Sequence, residues 1–173
     1  TVEQREALIE ALGLNDPLSI QYFDFVKRVL QFDFGNSYRG ALPVADMILE
    51  RLPATLELAL VSALFAMLFG VVMGVFTAIN RRGITGNFIL SSSLIGVSLP
   101  TFLIGVLLIW VFSVELKWLP SFGRGEVVDL GGWTTGFLTV SGLKSLILPG
   151  ITLGLYQMTL IMRLTRAEML EVL

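Results

Sequence analysis

The feature that most constrains this chain is the run of residues 88–114, which contains no charged side chain. At about 1.5 Å per residue, a helix of this length is longer than the roughly 30 Å hydrocarbon core of a bilayer. The core of a soluble protein does not need a helix that is apolar on every face, so we expect this run to cross a membrane. A mean hydropathy of +0.79 and a charged fraction of 15% agree with a membrane protein.

The interior of this run differs from an ordinary membrane-spanning helix. Pro100 has no backbone N–H and clashes with the carbonyl four residues earlier, so we predict a kink near Gly96. In lipid, freed backbone groups persist only where neighbouring helices, hydroxyls or water satisfy them. Four residues are therefore candidates for a kink or for the lining of a translocation path: Gly96, Ser98, Pro100 and Thr101. The alternative is that the hydroxyls only bond carbonyls of their own helix.

Two further runs, 58–79 and 145–162, are also free of charge. Together the three runs predict an all-α integral membrane protein with three transmembrane helices, at about 54–79, 88–114 and 145–163. Proton-coupled carriers usually bury acids or histidines in their spans. The interiors of these three runs hold no Asp, Glu, His, Lys or Arg, which argues against a proton relay.

The first span carries two features that bear on packing and charge. Gly70 and Gly74 form a GxxxG pattern within a longer row of small residues, and such a row lets two helices approach closely. We therefore predict that these glycines form a helix-packing face. Glu57 lies just outside the uncharged run, near the positive end of the helix dipole. We interpret it as a charge at a helix end rather than as a buried functional carboxylate.

The segment 1–53 is predicted to be a separate external part of the chain. Its apolar stripes indicate short amphipathic helices before Gly13, after Pro17 and after Pro43. Each is too short and too charged to span, so we expect them to lie on the membrane surface or to pack on its helices. The chain begins without Met and stops inside a helical pattern, so we expect it to be the middle of a longer protein.

The short loops predict the orientation of the spans. Arg81 and Arg82 make the loop after the first span basic, and Arg163 and Arg166 follow the third span. The positive-inside rule then puts this loop and the C-terminal tail in the cytoplasm. The segment before the first span and the long loop before the third span are expected outside.

Several classes of chemistry are disfavoured by the residues present. The chain has no histidine and no cysteine, so it lacks the commonest general base and the thiolate ligands of metals. It has no glycine-rich lysine loop for ATP and no nucleophile–base set. We expect no catalytic, metal or cofactor site, and an embedded enzyme ranks last among the possible functions. A formal net charge of −2 is too small to argue for nucleic acid as a partner.

Five segments carry motifs in a set order along nearly the whole chain. They are LGLNDPLSIQYFDFVKRVLQFDFGNSYRG (12–40), VADMILERLPATLELAL (44–60), GVSLPTFLIG (96–105), LPSFGRG (119–125) and LILPGITLGLYQMTLIMRLTRAEMLEVL (146–173). In this order they resemble permeases of the oligopeptide/dipeptide ABC importer family. The likeness is to the first of the two permeases in such binding-protein-dependent systems.

The resemblance implies a multi-pass subunit of the cell inner membrane with six spans, of which this sequence supplies spans two to four. It also implies partners: a second permease subunit, two cytoplasmic ATP-binding subunits, an external solute-binding protein and membrane lipid. ATP hydrolysis is expected in the ATP-binding subunits, so this chain is not expected to be an enzyme. Residues 163–173 resemble the start of the cytoplasmic coupling region. There, Arg163, Arg166 and Glu168 are candidates for the lead-in to the ATPase contact.

Three functions stay open at this point. The first is ATP-driven import, with the substrate undecided among dipeptides, oligopeptides, nickel complexes and sugars. The second is an ion- or proton-coupled secondary transporter, which predicts inverted repeats and buried ionisable groups in the full protein. The third is a membrane scaffold that transports nothing.

Overall fold

The computed structural model describes residues 15–37 and 42–172, and for 94–97 it describes the helical backbone alone. The described chain contains five α-helices, one π-helix and one small two-stranded sheet. It divides into two compact units, Thr1–Arg51 and Leu52–Leu173, which are described separately.

In the first unit, helix α1 (Leu18–Leu30) follows Pro17, as the apolar stripe predicts. The Pro17 carbonyl accepts the first hydrogen bonds of the helix. The helix ends just before Phe32, which has a left-handed backbone with φ of 59°. Every residue of α1 keeps part of its surface exposed. The first of the predicted amphipathic helices, within residues 1–14, lies outside the described residues.

Helix α2 (Val44–Ile79) differs from the sequence prediction at its start. The sequence predicts a short helix after Pro43 and a separate span from about residue 54, whereas the structure has one continuous helix. Pro53 lies inside this helix and is buried. A proline removes one helical hydrogen bond, but a membrane helix tolerates it where neighbouring elements satisfy the freed carbonyl.

The run 88–114 does not form one helix. It is divided among α3 (Ile84–Ser98), α4 (Thr101–Ile109) and a π-helix (Trp110–Glu115). In the described chain, two helices are long and apolar enough to cross a membrane, α2 and α5 (Val140–Val172). The predicted count of three spans is not confirmed by length and composition, because the middle run is interrupted.

The interruption lies at Leu99 and Pro100. Pro100 has φ of −58° and ψ of 135°, an extended conformation, and its carbonyl accepts hydrogen bonds from the backbone of Leu103 and Ile104. It is thus the N-cap residue of α4, a position where its missing N–H costs nothing. The chain breaks between two helices here instead of only kinking near Gly96.

The glycines of α2 lie directly against α5. A Cβ atom added to Gly70 would lie 2.9 Å from the Cβ of Ile161, and one added to Gly74 would lie 2.6 Å from the Cβ of Thr165. Real Cβ atoms do not approach other carbon atoms this closely. The two helices therefore approach each other through positions where only glycine fits without a shift.

The glycines of α5 make the reciprocal contact further toward the starts of both helices. A Cβ on Gly150 would lie 2.8 Å from Cγ1 of Val61, and one on Gly154 would lie 2.6 Å from Cδ1 of Phe65. The residue numbers of the contact partners thus rise together along the two helices, so α2 and α5 run parallel. A chain can join two parallel helices only by returning between them, and α3, α4 and the π-helix make that return.

The loop between the π-helix and α5 contains the small sheet. Strand β1 (Val128–Asp129) pairs antiparallel with β2 (Thr134–Thr135). The Asp129 carboxylate accepts hydrogen bonds from the backbone N–H groups of Gly131 and Gly132, at 2.9 and 3.3 Å. Both glycines have positive φ, which closes the turn. The loop is therefore an ordered structure rather than a simple connection.

The glycine contact predicts that Gly74→Ala lowers stability, because the new methyl group would overlap Thr165 and force the helices apart. We expect a cost of about 1–3 kcal/mol, typical of overpacking a close interface. The measurement is the apparent melting temperature of the full protein in detergent. Gly105→Ala is the matched control, because its Cβ would lie 3.4 Å from Cγ2 of Thr152, close to ordinary contact. Equal melting temperatures for both variants would contradict the prediction.

Candidate functional site

A cavity of about 420 Å³ lies between α4, α5 and the segment of the loop at residues 120–123. Helices α4 and α5 pack against each other along one side of it. The lining residues are Gly105, Ile109, Pro120, Ser121, Phe122, Gly123, Ser145, Leu148, Pro149, Thr152 and Leu153. None of these described lining residues carries a charge.

The hydroxyls of α5 at the cavity are already bonded within their own helix. Ser145 donates to the carbonyl of Ser141 at 2.9 Å, and Thr152 donates to the carbonyl of Leu148 at 2.7 Å. Their remaining surface toward the cavity is largely alkyl. The cavity therefore suits an apolar or uncharged group and offers no counter-ion to a charged one.

Gly105 keeps the cavity open on the α4 side. A Cβ at this position would contact the side chain of Thr152 on α5, at 3.4 Å from Cγ2 and 3.7 Å from Oγ1. A larger side chain would extend into the space between the two helices. Gly105 therefore controls how much of the cavity is available.

An ion pair between a buried carboxylate and a half-buried guanidinium group lies next to the cavity wall. Glu57, in α2, is only 3% exposed, and its Oε2 accepts a hydrogen bond from Nη2 of Arg124 at 3.1 Å. Its Oε1 accepts a second hydrogen bond from the backbone N–H of Gly136 at 3.0 Å. Arg124 directly follows the wall segment 120–123. One carboxylate thus ties α2 to two points of the loop.

Arg124 is held by more than its charge. Its Nη1 donates to Oγ1 of Thr134 at 2.7 Å, and its Nη2 donates to the carbonyl of Thr134 at 2.6 Å. Nη2 is therefore shared between Glu57 and the carbonyl of Thr134, while Nη1 binds the hydroxyl of Thr134. This planar fork of donors is what distinguishes arginine from lysine at such a site.

The sequence interpretation of Glu57 as a charge at a helix end is wrong. Arg124 lies 67 residues further along the chain, and only the folded loop brings the two together. Two signals were available. One was a single acid at the start of an uncharged run, and the other was a single arginine, which carries the opposite charge, in a glycine-rich loop. Neither signal alone indicates pairing, so the sequence reasoning missed both residues.

The loop is also joined to the start of α5. The hydroxyl of Thr139 accepts a hydrogen bond from the backbone N–H of Gly142 at 3.0 Å, the geometry of an N-cap. The same hydroxyl donates to the carbonyl of Glu126, and the N–H of Glu126 donates to Oγ of Ser141 at 3.0 Å. The residues after Arg124 are therefore fixed on α5.

The predicted path residues lie apart from this cavity. Ser98 ends α3, Pro100 caps α4 and Thr101 begins it, and all three are exposed. None of the three lines the cavity. The surroundings of Gly96 lie outside what the structure describes. Whether these residues line a path stays a prediction.

The predicted lead-in residues all lie on α5 near its end. Arg163 and Glu168 are exposed, and Arg166 is half-buried. One guanidinium nitrogen of Arg166, Nη1, is buried without a hydrogen-bond partner in the described chain. A role of these residues in an ATPase contact stays a prediction.

Comparison with known proteins supplies the family. Residues 70–173 match the family described as binding-protein-dependent transport system inner membrane component. The dipeptide transport system permease protein of Alkalihalophilus pseudofirmus is 38% identical, with 96% of this chain and 54% of the relative covered. The oligopeptide transport system permease protein of Bacillus subtilis is 39% identical, with 98% and 52% covered. A putative peptide transport system permease protein of Brucella abortus is 37% identical, with 99% and 52% covered. The chain thus spans about half the length of the curated relatives it matches.

The matched region contains the cavity, Arg124, and the contact between Gly74 and α5. The order of motifs predicted a permease of the peptide importer type, and the comparisons confirm that resemblance. The family consists of transporter permeases and not of enzymes, and the long apolar helices agree with an inner membrane protein. This chain belongs to the family of inner membrane components of binding-protein-dependent transport systems.

Proposed function

We propose that this chain is part of a permease subunit of an ATP-driven importer that moves peptides across the cytoplasmic membrane. The observation that carries the proposal is the similarity, over nearly the whole chain, to proteins named as dipeptide and oligopeptide transport permeases. The uncharged cavity between α4 and α5 supports it, because apolar side chains of a peptide could enter such a space. A choice between dipeptides and longer peptides does not follow from these residues.

The partners in this proposal are a second permease subunit, two cytoplasmic ATP-binding subunits and an external solute-binding protein. These 173 residues contain no glycine-rich lysine loop, so in this proposal other subunits bind and hydrolyse the ATP. Large apolar side chains of α2 are exposed, among them Leu60, Leu64, Leu68 and Val72. Lipid and helices of the same transporter are the surfaces that would cover them.

The proposed topology has three crossings, by α2, by α3 together with α4 and the π-helix, and by α5. The parallel direction of α2 and α5 supports this count, because the segment between them has to return across the membrane. The basic turn with Arg81 and Arg82 would face the cytoplasm together with the end of α5. Residues 1–53 and the loop that holds the small sheet would then lie outside.

A secondary transporter is less well supported. That alternative requires a buried ionisable group that gains and loses a proton during the cycle. The buried acid in the described chain, Glu57, is occupied by Arg124 and by the backbone of Gly136. A carboxylate held in this way is suited to fix structure rather than to carry protons.

The driving force is tested in proteoliposomes that contain the full permease with its partner subunits. We expect peptide uptake to require ATP inside, to stop with ATP-binding subunits unable to hydrolyse it, and to continue after a protonophore collapses the proton gradient. The readout is accumulation of a labelled dipeptide in the presence of the binding protein. Uptake that stops with the protonophore while ATP persists would favour a secondary transporter.

The role of the cavity is tested by filling it. We expect Gly105→Leu to lower the maximal uptake rate several-fold, because its side chain would occupy the space between α4 and α5. Leu107→Phe is the matched control, because it enlarges a side chain on the exposed face of α4 that does not line the cavity. Normal uptake by an assembled Gly105→Leu transporter would remove the cavity from the path.

The topology is tested by labelling introduced cysteines. These 173 residues contain no cysteine, so Arg82→Cys and Ser121→Cys are unique within them. We expect a membrane-impermeant maleimide to label Ser121→Cys in intact cells and Arg82→Cys only after the membrane is opened. Labelling of Arg82→Cys in intact cells would reverse the proposed orientation.

A further inference from the structure

The wall of the cavity at residues 120–123, here called the strap, is held at its two ends. No hydrogen bond of the described chain involves a residue of the strap itself. Phe122 projects from its middle and is 89% exposed. Gly123 has φ of +88°, and a Cβ there would meet no atom within 4 Å. The position of this wall is therefore set by what binds the chain before and after it.

The first anchor is the carbonyl of Phe112 in the π-helix. It accepts hydrogen bonds from the backbone N–H groups of Trp118 and Leu119, at 2.9 and 3.2 Å. The rings of Phe112 and Trp118 also lie close, with centroids 6.1 Å apart. The π-helix that follows α4 thus holds Leu119, the residue just before the strap.

The second anchor is the ion pair that follows the strap. Arg124 is bound by Glu57 of α2 and by Thr134 of the small sheet. The Glu57 carboxylate cannot turn freely, because its other oxygen is bound by the N–H of Gly136. The ion pair therefore ties the far end of the strap to α2, a helix that contributes no residue to the cavity lining.

We propose that Glu57 and Arg124 are positioning residues for the cavity, with the ion pair between them holding the strap at its distance from α4 and α5. Without the pair, the strap keeps its anchor at Phe112 and the backbone bonds of Glu126 to Thr139 and Ser141, but it loses its tie to α2. The chain between these two remaining anchors can then move about Gly123, so the opening of the cavity is no longer fixed. The placement of the strap follows from the contacts alone, whereas an effect on uptake rests on the proposed function.

The position of the strap is measured with two spin-label pairs in the full permease, assembled with its partners. The first pair, Phe122→Cys with Leu160→Cys, reports the strap relative to α5. The second pair, Leu68→Cys with Leu160→Cys, reports the packing of α2 on α5, and all three positions are exposed. We expect Glu57→Gln to broaden and lengthen the first distance distribution and to leave the second unchanged.

Glu126→Gln is the matched control. It removes an equal charge two residues after Arg124, but Glu126 joins α5 through its backbone, which the substitution preserves. We expect both distances to stay as in the unmodified protein. A strap distribution that is unchanged by Glu57→Gln, or changed equally by Glu126→Gln, would overturn the inference. Broadening of both label pairs would overturn it as well, since that is the result of general loss of packing.

A second variant keeps the test valid if a single substitution prevents folding. Glu57→Met with Arg124→Leu removes both charges and leaves no buried ion unpaired, a replacement that proteins often tolerate. It cannot make the directional bonds to Thr134 and Gly136, so the strap distance should still broaden. A narrow, unshifted strap distribution in this variant would overturn the inference.

Uptake kinetics test the positioning role of Glu57 and Arg124 separately from the proposed function in peptide import. We expect Glu57→Gln to lower the maximal rate of peptide uptake several-fold. No second substitution that leaves the strap free should restore that rate. A broadened strap with normal uptake would support the positioning role and overturn the assignment of the cavity to the path. A fixed strap with lost uptake would overturn the positioning role and leave the proposed function standing.

Discussion

The close contact of α2 with α5 is the constraint on which the rest of this structure depends. Glycines on both helices meet side chains and backbone of the other, with Gly74 against Thr165 and Gly154 against Phe65. Lipid tails are as apolar as leucine, so helices in a membrane gain from fitting closely rather than from being apolar. Because the contact makes the two helices parallel, the chain must return between them. The return segment supplies α4, and with it one wall of the cavity.

That return segment shows how a membrane treats irregular backbone. In hydrocarbon an unbonded carbonyl or N–H costs several kcal/mol, so breaks are tolerated only where other groups satisfy the backbone. At Pro100 the missing N–H costs nothing, and its carbonyl accepts the first bonds of α4. At the other end, the π-helix carbonyl of Phe112 accepts two bonds from the loop. The carbonyls of Pro100 and Phe112 are therefore both bonded by neighbours along the chain, and the segment between them stays helical.

The sequence predicted those features that are local or periodic. The uncharged runs, the helix after Pro17 and a distortion caused by Pro100 follow from residues that are neighbours in the chain, although the structure has a break where the sequence predicts a kink. The motif order predicted the family, because five segments had to agree at once. The spacing of Gly70 and Gly74 indicated a packing face, although it could not identify α5 as the facing helix. Direction and partner of a helix contact depend on the whole fold and leave no local pattern.

The features that sequence reasoning missed are those that join distant residues. Glu57 and Arg124 each look like an ordinary surface charge, since the pairing exists only after the loop has folded back on α2. The cavity was missed for a related reason, because its walls come from α4, α5 and the loop, and no one segment has a pattern of its own. The continuity of α2 through Pro53 was missed because a proline usually marks a helix start, while Pro53 here is buried inside a continuous helix.

The energetics of the ion pair explain why it serves position better than stability. Removing one partner of a buried pair costs about 3–5 kcal/mol, yet replacing both by well-packed apolar residues is often neutral. Two apolar side chains at positions 57 and 124 would therefore stabilise the fold about as well as the ion pair does. Apolar contacts are not directional, however, and would not fix the guanidinium plane against the carbonyl of Thr134 or the carboxylate against the N–H of Gly136. Directional bonds at both carboxylate oxygens and at two guanidinium nitrogens define one position for Arg124, the residue that follows the strap. The strap has no hydrogen bonds of its own, so its position depends on that residue.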